Sequence, residues 1–214
     1  MARWVTILVI LALPGLHGEI IDRIAVSIGT RVITESDLQR EIRITAFLNG
    51  DQPDFHPQNQ RATAERMVDQ TLVRAELESS GYPMPSEAEA AAALLVLKSR
   101  FSDDEAYRRA LAAYNISESA LKDRLSWQLT LVRFIDVRFR PGIQISDDAI
   151  RTYYNENLHT LTSQAPSGNP PSLDAVHDQI ERTLISQAAD QQVERSLTEA
   201  RKRARIQYRE DAFR

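Results

Sequence analysis

Cysteine is absent from the 214 residues. That excludes thiol catalysis, disulfide staples and cysteine-based zinc or iron–sulfur centres. Glycine is scarce, with seven residues, and no glycine-rich phosphate loop occurs. Positive charge is not in excess: 26 basic side chains face 30 acidic ones, for a net charge of −4. No chain-wide positive field would therefore draw in a nucleic-acid backbone. Long apolar runs are missing too. The longest, Trp4–Leu13, is about half the roughly 20 residues that a membrane-spanning helix needs.

That run follows Met1-Ala2-Arg3 and is broken by Pro14, Gly15 and Gly18. A charged start, a short apolar stretch and small residues form the pattern of a secretory signal peptide over residues 1–18, with cleavage after Gly18. Export leaves Glu19–Arg214, 25 basic against 30 acidic side chains once Arg3 is gone. A chain of that size buries roughly 70% of its unfolded surface, enough for a core without staples.

What is abundant is Ala, Leu, Arg, Glu and Gln, a helix-forming composition. The only convincing β segment lies in Ile20–Ile33, where Ile24–Ile28 and Val32-Ile33 flank Gly29-Thr30-Arg31 as a hairpin. Thr34, with Asp37 three residues on, caps a helix to about Phe47. After a loop at Asn49–Pro57, the stripe Ala64, Met67, Val68, Thr71, Leu72 and Ala75 marks a helix over Gln60–Ser80. Ser86 with Glu89 opens a third helix, whose buried face reads as Ala91, Leu94, Leu95 and Phe101. Ser102 with Glu105 opens a fourth, to about Tyr114-Asn115. Ser117–Phe139 carries two apolar stripes, Leu121/Leu125/Leu129/Val132/Ile135 and Trp127/Leu131/Phe134, which predict a central, buried helix. Ser146-Asp147-Asp148 opens a short helix reaching Tyr153-Tyr154. The stretch Ser163–Pro171 is linker-like, and a long helix follows over Leu173–Arg203. The tail Ala204–Tyr208 alternates as a last strand and is expected to pair with the N-terminal hairpin, since a lone hairpin is marginal and an open edge hazardous. The fold class is mainly α, with a small sheet joining the two ends.

The order of these elements resembles a known family. Ile24–Leu38 is similar to the opening hairpin and helix start of SurA-type periplasmic chaperones. Met67–Val73 looks like their second-helix motif, and Ile143–Ile150 with Tyr153-Tyr154 resembles their Tyr-Tyr segment. The resemblance covers about residues 20–158 and extends through the long helix and tail. It departs at one place. Members that isomerise prolyl bonds carry a parvulin domain of about a hundred residues after the Tyr-Tyr segment, and Asn155–Pro171 leaves 17 residues. The resemblance thus implies the SurA N-terminal chaperone module without its isomerase. It implies residues 19–158 and 172–214 as one discontinuous domain, with 159–171 as the linker where the parvulin would be inserted. It also implies a periplasmic location and unfolded or extended envelope polypeptides, outer-membrane proteins among them, bound without ATP in an apolar groove.

No residues assemble a nucleophile, a base and an orienting group, so neither catalysis nor a cofactor is expected. His177 and Glu181, four apart on one helix, could face a metal, but a third ligand is not evident and the pair reads as a solvated face. Asp103-Asp104-Glu105 and Asp147-Asp148 sit in first helical turns, where acids complement the helix dipole. Arg195, Arg201, Lys202, Arg203, Arg205 and Arg209 read as a solvated helix C-terminus, with peripheral contact to anionic lipid or an acidic partner as the alternative. Phe47, Tyr82, Phe101, Tyr107, Trp127 and Phe134 stand at helical spacing and read as core before client contact. If a client groove exists, Phe47, Met67, Phe101, Tyr107, Trp127 and Phe134 are its expected lining. The alternative function is a dedicated helical scaffold with a single envelope partner.

Overall fold

The computed structural model describes residues 22–164 and 169–213. The expected signal peptide, residues 1–18, lies outside the described residues. The described chain is mainly helical, with one small antiparallel sheet.

Strands β1 (Ile24–Ile28) and β2 (Arg31–Thr34) form the expected hairpin, and Gly29, at φ 57°, takes the left-handed conformation its turn requires. Thr34 ends β2 and caps helix α1 (Glu35–Asn49). Its hydroxyl accepts from the Asp37 N–H while the Asp37 carboxylate accepts from the Thr34 N–H, so Asp37 completes the box that Glu or Gln usually closes. Helix α2 (Pro57–Ser80) starts three residues earlier than periodicity suggests. Pro57, read above as loop, sits in its first turn, where the missing N–H costs nothing.

Helix α3 (Glu87–Lys98) opens on the Ser86–Glu89 box as expected. Its buried face is Ala90, Leu94 and Leu97, which corrects the expected face: Leu95 is 67% exposed and Ala91 is only partly buried. The three buried positions follow the i, i+4, i+7 row that meets helix α5 (Glu118–Arg138). In α4 (Asp104–Tyr114) the cap is Asp103 rather than Ser102. Its carboxylate accepts from the Ala106 N–H at 2.7 Å, and Ser102 Oγ donates to it. Helix α5 buries Leu121, Trp127, Thr130 and Phe134 but leaves Val132 and Val137 more than half exposed, so it is not wrapped on all sides as its two stripes suggested.

Helix α6 (Asp147–Glu156) is capped by Ser146. Helix α7 (Leu158–Gln164) occupies ground expected as linker, and residues 165–168 of that stretch lie outside the described residues. Helix α8 (Leu173–Arg203) has the expected bounds. Its first turns pack on α6 through Ile150, Val176 and Ile180; further along, Ala189, Val193 and Leu197 pack against α2 and α5. No helix among the described residues is long and apolar enough to cross a membrane.

Strand β3 (Ile206–Tyr208) then pairs antiparallel with β1, setting Val26 against Tyr208 and Ile28 against Ile206, so the sheet order is β2-β1-β3. The sheet thus joins the N-terminal hairpin to the C-terminal strand. One feature escaped the sequence: a single 3-10 turn, Glu210–Ala212, carries Ala212 and Phe213 back into the core beside Val26, Leu38, Ala64 and Val68.

An open trough between three helices

Helices α1, α2 and α5 diverge around a cavity of about 450 Å³ that opens to solvent. The partly buried Met67, with the nearly covered Ile44 and Trp127, supplies its apolar lining; Arg40, Glu41, Arg74, Asp123 and Arg124 supply its charge. A second cavity of about 340 Å³, lined by Met84, Ser126 and Thr130, shares Arg74, Asp123 and Trp127 with the first. The two share three lining residues and adjoin as one trough, with Arg74, Asp123 and Trp127 at the junction.

The trough follows from helical spacing. Met67, Gln70, Thr71 and Arg74 stand at i, i+3, i+4 and i+7 on α2 and present one face. On α5, Leu121, Arg124 and Trp127 are spaced by three, so an arginine lies within an otherwise buried row. Arg124 Nε lies 3.3 Å from Glu41 Oε1, and both side chains are largely covered. That contact is an ion pair rather than a well-aimed hydrogen bond, for Arg124 Nε has no hydrogen-bond partner. Trp127 Nε1 is also buried without one. The Arg74 guanidinium stacks over the Trp127 ring with Cζ 4.0 Å from its centroid. Loss of water from that guanidinium lowers its pKa from the ordinary arginine value. Among the described residues no carboxylate lies at ion-pair distance from Arg74. The trough is therefore mixed in character, where the resemblance implied an apolar groove.

The six expected groove residues divide. Met67 and Trp127 line the trough. Phe47 and Tyr107 are buried in the cluster of α1, α3, α4 and α5. There Phe47 stacks on Phe101 at 5.9 Å and meets Tyr114 edge-on, with Phe101 partly buried over the same cluster. Phe134 is buried in the next cluster, edge-on to Tyr82 and Phe139. Phe47, Tyr107 and Phe134 do not line the trough; each is buried in a helix–helix contact. Burial, with the Glu118 charge adding to it, raises the Tyr107 phenol pKa.

Exposed apolar side chains lie elsewhere. Leu95 and Val96 on α3 and Val132 and Val137 on α5 are each more than half exposed.

The remaining sequence candidates take structural or solvated places. His177, Asp178 and Glu181 bring three ligand atoms within 4.8 Å of one another on α8. Asp178 is thus the third group the spacing did not reveal, and all three stand on one partly exposed helix face. Asp103 is a cap whose pKa is lowered by the Ala106 N–H, and Asp148 pairs with Arg151 at 3.3 Å. Among the basic tail residues Arg201 is not a free cation. Its Nε donates to Asp69 at 2.6 Å and its Nη2 to the Glu65 carbonyl, tying α8 to α2.

No known protein family matches this chain, and no curated protein does.

Proposed function

We propose that this protein is an ATP-independent, chaperone-like module that holds unfolded or extended envelope polypeptides, outer-membrane proteins among them, in the periplasm. The observation that carries the reading is the trough. It is open, spans two adjoining cavities and is lined by Met67, Ile44 and Trp127 alongside polar groups, which suits an extended chain better than a compact small molecule. A mixed lining also suits loose specificity, since apolar contact and backbone hydrogen bonds recur in any polypeptide. The motif resemblance to SurA-type chaperones adds the client class and the location. The exposed aliphatic side chains of α3 and α5 offer further apolar surface to a client. With 17 residues at Asn155–Pro171, no prolyl isomerase domain belongs to the reading.

Site-specific photo-crosslinking tests it. A photoreactive residue at Met67 should link to a denatured outer-membrane β-barrel protein, and to several unrelated unfolded clients. The same residue at Asp178, exposed on α8 and outside the trough lining, should link weakly. Equal linking from both positions would refute the trough as the holding site. Linking to one native partner alone would favour the dedicated scaffold.

A further inference from the structure

Among the cations on the trough lining, Arg74 is the one without an ion pair among the described residues. Arg74 and Arg124 face it with Glu41, and Glu41 is already engaged by Arg124. Arg40, on the same lining, is paired with Asp37 at 2.9 Å. Asp123 is exposed and stands beyond ion-pair distance of Arg74. What remains is the Arg74 guanidinium, held flat by an aromatic ring and at ion-pair distance from no carboxylate among the described residues, with the exposed Asp123 carboxylate on the same lining. A planar fork pre-oriented by stacking is well suited to accept a carboxylate in two parallel hydrogen bonds. Its position matters as much as its charge. Arg74 and Trp127 line both cavities, so they stand midway along the trough, with Ile44 and Met67 on one side and Met84 on the other. A chain terminus would reach such a point only by leaving half the trough empty.

We infer that the trough selects extended peptide segments carrying an internal aspartate or glutamate between apolar residues, whose carboxylate seats on Arg74 over Trp127. This rests on the proposed polypeptide-holding function and specifies its client chemistry. Recognition then combines apolar contact on both flanks with one charge-assisted contact at the centre. The charge sets register along the trough, as complementary charges do at interfaces.

The test uses the full chain and short peptides, acetylated and amidated so that no terminal charge remains, followed by fluorescence anisotropy at low salt. One peptide has a central glutamate between leucines, and a second has glutamine there. A third keeps the glutamine and frees its C-terminal carboxylate. The glutamate peptide should bind roughly three- to tenfold more tightly than the glutamine peptide, as expected for a charge-assisted contact at a partly exposed site, and added salt should shrink the difference. Arg74→Gln should abolish the preference while still binding both peptides, and Arg74→Glu should reverse it toward a central-lysine peptide. Arg74 is a surface side chain, so circular dichroism of both variants should match the parent. Equal affinities for the first two peptides overturn the inference, as does a preference that survives Arg74→Gln. A free C-terminus preferred over the internal glutamate also overturns it. Equal binding of all three peptides would leave the holding function standing and remove only this selectivity, whereas no binding of any peptide would remove both.

Discussion

Truncation after Arg203 should lower the melting temperature by about 10 °C or more and make the protein prone to aggregate. Three losses combine. Phe213, 6% exposed, leaves the cluster of Ala25, Val26, Leu38, Ala64 and Val68, and emptying a buried phenylalanine site costs about 3–5 kcal/mol. Tyr208 leaves the Arg61 guanidinium, which lies 3.8 Å over its ring, and the Arg61–Glu210 ion pair goes with it. Strand β1 loses the partner that satisfies Val26 to Ile28, leaving an apolar edge open. At roughly 2–4 °C per kcal/mol for a domain of this size, the Phe213 site alone approaches the stated shift. Phe213→Ala should reproduce most of the melting shift without the aggregation, because the strand remains. Thermal unfolding followed by circular dichroism, with light scattering alongside, separates the two effects. A truncated protein that melts with the parent would mean the terminal segment contributes nothing to the core.

Phe47→Ala, at one of the six residues read from the sequence as possible client contacts, should be strongly destabilising, and it should act on folding rather than on binding. The ring is 7% exposed, stacked on Phe101 and edge-on to Tyr114, in a cluster that also holds Ile44, Leu94, Leu97, Tyr107, Leu111 and Leu121. Removing it leaves a cavity where four helices converge, at about 3–5 kcal/mol and again about 10 °C. Below the new transition the variant should bind unfolded polypeptide as the parent does, since Phe47 does not line the trough. A variant with parental stability and lost client binding would instead place Phe47 on the binding surface.

These expectations show which parts of the molecule a sequence carries. The elements were legible because capping is local chemistry. Thr34, Ser86, Ser117, Ser146 and Ser172 each accept from an N–H three residues on, and each marks a helix start within one residue. The closure of the sheet was legible from the alternation of Ile206 and Tyr208 against an unpaired hairpin. Which side of an apolar helix faces inward was less so. On α3 and α5 several stripes are apolar, and only the crossing of the two helices decides that Leu94 is buried and Leu95 exposed. The return of Phe213 to the core left no periodic signal, because a three-residue turn has none. The trough was half visible. Met67 and Trp127 stood out on apolar stripes at helical spacing, whereas Arg74 and Arg124 were not singled out. The signal was there in the spacing Leu121–Arg124–Trp127, which sets an arginine into a buried row. Its meaning depended on Glu41 arriving from another helix.

The central claim, that the protein holds unfolded polypeptide without chemistry or nucleotide, is tested most directly by the aggregation of a denatured outer-membrane β-barrel protein diluted into buffer, followed by light scattering. Scattering should fall as the protein is added, saturate near a fixed ratio to the client, and remain the same with or without ATP. Scattering unchanged from that seen with an inert protein of similar size would contradict the account.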